Sequence, residues 1–467
     1  MTPREHAISL FNKAQPIIAT DPSMAYQMLA SAIVVDPGFA LGWAFMGATL
    51  ADIGTLVASC EAYRAALRLP DGDGPGDMTP ALRHRCLLQL GHRLTNQKII
   101  TWDRLWEAED ALHRALDMEG EFDVQETAFC HTNLALTSGH RGDEVAEMAE
   151  AEAGFRTFPD PATELGLAFA CLYQGEYIRG LKHFEARFPY AMGSYLSYPA
   201  PRWDGGHVET LYVLSEQGLG DALSLSRFIP LAAARVGRVV FPVQPPLTKL
   251  IGAALRHVSN VSIVPQDRVI EHADAWCPVS SLPLALGQTD AEFRDTPGLP
   301  FAVDPVEDTS WKRRDARLHV AVAWAGAPGN GIDAQRSIPM LEFLVLRAVP
   351  GIALYSVQVG ERGGELHAQG ATGMVRDMTP WIHTAYDTAG LLGEMDAVVC
   401  CESFVGHLAG ALGKRCYLMV SRFGRDWRSS VSIGNRVLWY PRHTAVRQGD
   451  DLCWAPAFGR VVEELSR

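Results

Sequence analysis

Residues 210–222 read TLYVLSEQGLGDA, and their reading decides the fold of the larger part of the chain. Thr210–Ser215 is a short, mostly apolar run of β-favouring residues, which predicts a buried strand. Glu216-Gln217-Gly218-Leu219-Gly220-Asp221 follows as a turn, and an amphipathic helix is expected from there through Ala234. Arg238–Val243 (RVVFPV) predicts the next strand. Strand, glycine turn, helix and strand in that order make a parallel sheet with helical crossovers.

The alternation starts again at Leu318–Trp324 (LHVAVAW), with later strands expected near Ala353–Val357, Asp396–Cys401 and Arg415–Val420. Two such series predict two parallel-sheet lobes, divided in the Pro- and Asp-rich stretch around Asp295–Asp308. Ligands in these folds bind beyond the carboxyl ends of the strands, here in a cleft between the lobes.

Four loops fall at those strand ends. In the first, Gly218 and Gly220 let backbone N–H groups approach an anion, or form only a tight turn. Asp221 is a poor phosphate ligand, which leaves it as a base facing an acceptor hydroxyl or as a helix cap. The second loop runs from Trp324-Ala325-Gly326 to Arg336-Ser337-Ile338-Pro339. Arg336 and Ser337 are expected to precede a helix directly, so that charge, hydroxyl and helix dipole converge on one phosphate; the alternative is a surface arginine beside an N-cap serine. The third, Glu402-Ser403-Phe404-Val405-Gly406-His407, starts a small-residue helix and brings Ser403 and His407 to the cleft. The fourth holds Asp426-Trp427-Arg428: Trp427 is either core or a lid, and Arg428 either an ion-pair residue or an anion clamp.

Upstream, residues 1–190 read almost wholly as helices. Ala25, Leu29 and Ala32 share one face; Trp43, Gly47, Leu50, Ser59, Tyr63 and Ala66 then follow the spacing of a tetratricopeptide repeat of about 34 residues. Leu167, Ala168, Cys171, Gly175-Glu176-Tyr177, Gly180 and Phe184 give a second copy. Leu90-Gly91 with Ala108, Leu112 and Ala115 fits with an insertion, residues 125–156 fit weakly, and Asp71–Pro80 (DGDGPGDMTP) is a loop between repeats. An irregular helical bundle is the alternative. Stacked repeats form a solenoid that usually holds a protein or peptide.

The 467 residues suit two to four domains of about 100–200 residues each. With 48% apolar and 20% charged residues, the composition excludes a mainly disordered chain. The net charge of −13 argues against a general nucleic-acid or anionic-lipid binder. The charge is concentrated: residues 1–190 carry −11, and residues 101–150 alone carry −10. Nine scattered cysteines without a CxxC pair read as reduced thiols of a cytoplasmic protein. No signal peptide or transmembrane run is apparent. No His/Cys cluster at ligand spacing is present, so no metal is expected.

These motifs, in this order, resemble bacterial tetratricopeptide-repeat proteins fused to a glycosyltransferase domain related to the lipopolysaccharide heptosyltransferases. The resemblance is carried by Gly175-Glu176-Tyr177, Phe184-Glu185-Ala186-Arg187-Phe188, Pro201-Arg202-Trp203-Asp204-Gly205, Glu216-Gln217-Gly218-Leu219-Gly220-Asp221, Trp324-Ala325-Gly326, Arg336-Ser337-Ile338-Pro339 and His407-Leu408-Ala409-Gly410-Ala411-Leu412-Gly413. It implies a helical repeat domain over 1–190, a linker over 191–206, and a GT-B fold of two Rossmann-like lobes over 207–305 and 306–467. It also implies a nucleoside-diphosphate-sugar donor as co-substrate, no other cofactor, no obligatory metal, and inversion at the sugar carbon. Asp221 stands where the family carries its candidate base, and Arg336 where it carries a phosphate-binding lysine. Gly218, Gly220, Trp324, Gly326, Ser337, Glu402, Ser403 and His407 complete the implied donor site, with Trp427 and Arg428 facing the acceptor or forming a lid. Glu402-Ser403 departs from the family's Asp-Thr, and Pro328–Gln335 (PGNGIDAQ) is less basic than usual. Two further readings remain: a non-catalytic repeat scaffold with a degenerate GT-B domain, and another nucleotide-sugar enzyme such as an epimerase.

Overall fold

The computed structural model describes residues 1–118, 120, 122–191, 198–267, 272–301, 303–304, 306–329, 331, 333–430, 432–433 and 435–467. Residues 192–197 of the expected linker, and Asn330 and Ile332 in the loop after Trp324, lie outside these. The chain forms two compact units, Met1–Ala170 and Cys171–Arg467.

In the first unit, helices Pro3–Ala14, Pro22–Val35, Ala40–Asp52, Leu56–Leu67, Pro80–Thr95, Trp102–Leu116, Val124–Arg141 and Glu144–Thr157 pack in consecutive pairs. Asp21, Thr79, Thr101, Asp123 and Asp143 cap helix starts by accepting a backbone N–H. Small residues set the spacing within pairs. A Cβ on Gly47 would lie 2.8 Å from the Tyr63 ring, and one on Gly91 2.5 Å from Leu112. Residues 125–156, the weakest match to the repeat, still form a helix pair, turned by Gly142 at φ 80°. The DGDGPGDMTP stretch is a loop ahead of helix Pro80–Thr95, as expected.

The second unit includes helices Tyr177–Phe184 and Arg187–Ala191, which the motif spacing had grouped with the repeats. They belong here physically: Leu172, Tyr177 and Leu181 are buried in the same core as Leu211 and Val213. Its first sheet has the order β3-β2-β1-β4, all parallel, from β1 (Thr210–Leu214), β2 (Arg238–Val243), β3 (Val261–Pro265) and β4 (Ala275–Pro278). The second has the order β10-β11-β12-β9-β8-β5-β6-β7. Its parallel part is β5 (Leu318–Ala323), β6 (Ile352–Ser356), β7 (Val375–Asp377), β8 (Ala397–Cys401), β9 (Cys416–Val420) and β12 (His443–Arg447). The short β10 (Ser432–Ile433) and β11 (Arg436–Val437) add an antiparallel edge. In β5, Ala321 and Ala323 enter one core while Val320 and Val322 enter another, the mark of a sheet covered on both faces.

The helix expected through Ala234 is broken into Leu219–Leu225, a tight turn Ser226–Phe228, and Ile229–Ala233. Pro230 has no N–H for the Ser226 carbonyl, so the regular ladder stops in the turn before it. Among the described residues, no helix is long and apolar enough to cross a membrane.

Candidate functional site

The carboxyl ends of β1, β5, β8 and β9 carry the four loops. After β1, Gly218 starts helix Leu219–Leu225, and its N–H donates to Asp221 Oδ2 at 3.0 Å. Asp221 Oδ1 accepts from Arg428 Nη2, which comes from the loop after β9. Arg428 Nη1 lies 3.2 and 3.3 Å from the two Asp426 carboxylate oxygens, and its backbone N–H donates to Asp426 Oδ1 at 2.8 Å. Asp426 Oδ2 is 3.4 Å from His407 Nε2, and His407 Nδ1 is 3.0 Å from the Tyr440 hydroxyl. Asp221, Arg428, Asp426, His407 and Tyr440 thus form one polar chain joining the first lobe to the second.

Burial works against the Asp426 charge, but the Arg428 guanidinium and the His407 ring outweigh it and hold the carboxyl below the usual range. Burial alone would weaken the Arg428 cation; Asp426 and Asp221 reverse that and hold it charged. Burial pushes the Tyr440 phenol up to about 12.

Gly220 has a different role from the one its motif suggests. A Cβ there would stand 2.4 Å from His407 Cδ2, so the glycine makes room for the imidazole. Gly410 does the same for the Tyr440 ring, at 2.3 Å. Ser403 is the N-cap of helix Phe404–Ala411, but its Oγ donates to the Cys401 carbonyl at 3.2 Å. Glu402 is buried, which raises its carboxyl to about 8. Ser429 Oγ lies 2.5 Å from Glu402 Oε1 and 3.0 Å from the Asp426 carbonyl oxygen. The Ser429 hydroxyl donates to Glu402, which favours the carboxylate form, but burial outweighs it.

The second loop departs from expectation. Arg336 ends a four-residue helix, Asp333–Arg336, instead of preceding one, and the next turn of 3-10 helix starts only at Met340. Pro339 at the N-cap of that turn separates the two. Arg336 and Ser337 therefore do not stand directly before a helix. Ser337 Oγ instead donates to Asp333 Oδ1 at 3.1 Å, and Arg336 Nε is 3.5 Å from the same oxygen. Gly326 is the floor of this group, since a Cβ would meet Arg336 Nη2 at 2.2 Å. Trp324 is fully buried, and Gln358 Oε1 accepts from the backbone N–H of Trp324 and Ala325. Gly424 joins this group to the first: a Cβ there would lie 3.3 Å from Arg336 Cβ and 3.4 Å from Glu402 Oε2.

Trp427 is core and not a lid. Its ring packs on Tyr177, Phe293 and Trp439 at 5.8, 6.0 and 5.3 Å, and the Arg428 guanidinium lies 4.2 Å above it. Arg428 is an ion-pair residue in this arrangement. Asp426, Ser429, Tyr440 and His443 take part without having been singled out as site residues. Asp426 stands two positions before Arg428, and that proximity was the available signal; a single histidine opening a strand gave none.

No family model matches the chain. Protein FlbA of Caulobacter vibrioides is 23% identical over an alignment of 372 positions that covers 71% of this chain and 60% of FlbA. The chain thus spans less than two thirds of that relative's length. Among solved structures, E. coli heptosyltransferase WaaC with ADP aligns at 14% identity and TM-score 0.35, over 55% of this chain and 97% of WaaC. A thermophilic tetratricopeptide-repeat protein of Thermus thermophilus aligns at 12% identity and TM-score 0.31, over 41% of this chain and 95% of its own.

Proposed function

We propose that the second unit is a glycosyltransferase that moves a sugar from a nucleoside diphosphate to an acceptor hydroxyl. The observation that carries this reading is the meeting of Asp221 with Arg428, Asp426 and His407 at the carboxyl ends of strands from two facing parallel sheets. Asp221 takes the proton of the acceptor hydroxyl, or orients it, as the oxygen bonds to the anomeric carbon. The bond from that carbon to the diphosphate breaks on the opposite side, which inverts the configuration. Arg336 and His407 offset the charge gathering on the leaving nucleoside diphosphate, without a metal ion. Each Asp221 oxygen has two lone pairs, so the bonds from Gly218 and Arg428 leave acceptor sites free. The helical unit presents the acceptor, a protein or peptide, and the reaction belongs in the cytoplasm, where buried thiols stay reduced.

A second reading, a non-catalytic scaffold, has its own support: both Asp221 oxygens are already engaged internally, and Arg428 is buried. Incubating the full chain with a panel of nucleotide sugars separates the two. A thermal shift with nucleoside-diphosphate release supports transfer. A shift without release supports the scaffold, and neither signal removes the nucleotide-sugar reading altogether.

A further inference from the structure

Residues 215–218 join β1 to the helix that carries Asp221, and each of them is held. Ser215 Oγ donates to Gln244 Oε1 at 2.9 Å. Glu216 is buried, and its carboxylate accepts from Arg187 Nε and Nη2 at 2.9 and 2.8 Å and from the Ser280 hydroxyl. Gln217 has φ 65°, in the left-handed region that residues with a side chain rarely adopt. Its carbonyl accepts from Gln244 Nε2 at 3.3 Å. The Gly218 N–H donates to Asp221 Oδ2 at 3.0 Å. The chain thus turns through a strained residue that is fixed by one carboxylate before it and another after it. Strain of this kind persists only where the surroundings over-determine it.

Arg187 is the part of this clamp that comes from outside the sheet. Its Nη1 donates to the Phe184 carbonyl at 2.9 Å and to Glu185 Oε1 at 3.0 Å. Its Nη2 also donates to the Ser280 and Ser281 hydroxyls at 2.9 and 3.0 Å. Every nitrogen of the guanidinium is engaged, so its planar fork holds the Glu216 carboxylate in one orientation. Apolar side chains of similar volume stabilise a core as well as a buried ion pair does, so orientation is what this pair adds. We infer that Arg187 is a positioning residue for Asp221: its clamp on Glu216 sets the Gln217 turn, and through it the place of the Asp221 carboxylate beyond β1. This rests on the glycosyltransferase reading above. Helix Arg187–Ala191 then serves the reaction, although it follows directly on residues at repeat spacing.

The test uses the full chain with Arg187→Met and Glu216→Leu together, which removes the clamp and strands no charge. Nucleoside-diphosphate release, calorimetric affinity for the nucleotide sugar that is turned over, and amide hydrogen exchange across residues 216–221 are measured side by side. Turnover is expected to fall about ten- to a hundredfold, because a small misplacement of a reacting group is enough for that. Donor affinity should stay within about threefold, and exchange across 216–221 should speed up about tenfold or more. Arg187→Lys keeps the charge but loses the fork, and should show a smaller loss of the same kind, about three- to tenfold. It carries the test if circular dichroism shows the double variant unfolded, and natural turnover in it then overturns the inference. Natural turnover in the folded double variant, an equal loss of donor affinity, or lost turnover with unchanged exchange across 216–221 also overturns it. An unmodified chain that turns over no nucleotide sugar overturns the glycosyltransferase reading itself, and this inference with it.

Discussion

The two units use charge in opposite ways. In Met1–Ala170, ion pairs tie neighbouring helix pairs together at the surface. Arg64 Nε is 2.6 Å from Glu107, Arg85 is 3.0 Å from Glu126, and Arg141 meets Glu109. In Cys171–Arg467 the decisive pairs are sealed. Arg187 binds Glu216 through two contacts of 2.9 and 2.8 Å, with side chains 3% and 0% exposed. Ser280 and Ser281 complete the fork, and the guanidinium stacks on Phe184 and Phe188. An open pair adds little beyond register, while a sealed pair must be complete, because removing one partner strands a charge. The contrast also bears on the acidic stretch 101–150. Glu107, Glu109, Asp110, Glu126 and Glu150 each face a basic side chain within the unit, so much of that charge serves the helix packing.

The contrast is most easily broken at Arg187. Arg187→Ala should lower the stability of the second unit by about 3–5 kcal/mol, read from the melting of the full chain. The double variant Arg187→Met with Glu216→Leu should recover much of that loss, since no charge is stranded. A loss below about 1 kcal/mol for Arg187→Ala would put this pair in the same class as the surface pairs.

Glu402 sharpens the contrast through pH. Its folded-state value of about 8 lies above the ordinary 4.5 because it is buried. Between these values the unfolded chain gives up the proton and the folded chain keeps it, so stability falls as pH rises from 4.5 to about 8. Each unit of separation corresponds to about 1.4 kcal/mol. Glu402→Gln cannot ionise, so its Tm should fall less than that of the natural chain between about pH 5 and 8. Parallel curves would mean that Glu402 is ionised in the fold.

Arg336→Ala comes next. A charge-assisted bond to phosphate is worth about 1.5–3 kcal/mol, so nucleoside-diphosphate affinity should drop roughly ten- to a hundredfold. Unchanged affinity in the folded variant takes Arg336 out of the donor site. Arg64→Ala should have the smallest effect, about 0.2–1 kcal/mol and less at high salt, measured by denaturant titration. A larger loss would show that the helical unit also depends on closed pairs.

Much of the architecture was legible because it is written in local patterns. Gly47 and Tyr63 stand at repeat spacing and do meet, and TLYVLS is a strand end followed by a helix. Pairing between distant residues left no such trace. Glu216 was visible as part of a glycine motif, but its partner Arg187 is 29 residues upstream, and nothing local connects them. Gly220 illustrates the same limit: a glycine beside a strand end suits an anion, yet the neighbour that requires it is His407 from another lobe. The helix expected at Arg336-Ser337 was misplaced because the polar run Asp333–Arg336 forms its own turn before Pro339. The strands β10 and β11 have two residues each, too short to show any periodicity.

Asp221→Asn tests the central claim most directly, because it removes the proton acceptor and keeps the shape of the side chain. The measurement is nucleoside-diphosphate release from the nucleotide sugar that the full chain turns over, alongside calorimetric affinity for that donor. The account predicts that turnover falls by about 10²–10⁴-fold while donor affinity stays within a few fold. Unchanged turnover, or loss of donor binding in place of turnover, would contradict it and leave Asp221 as a cap for its helix and a partner for Arg428.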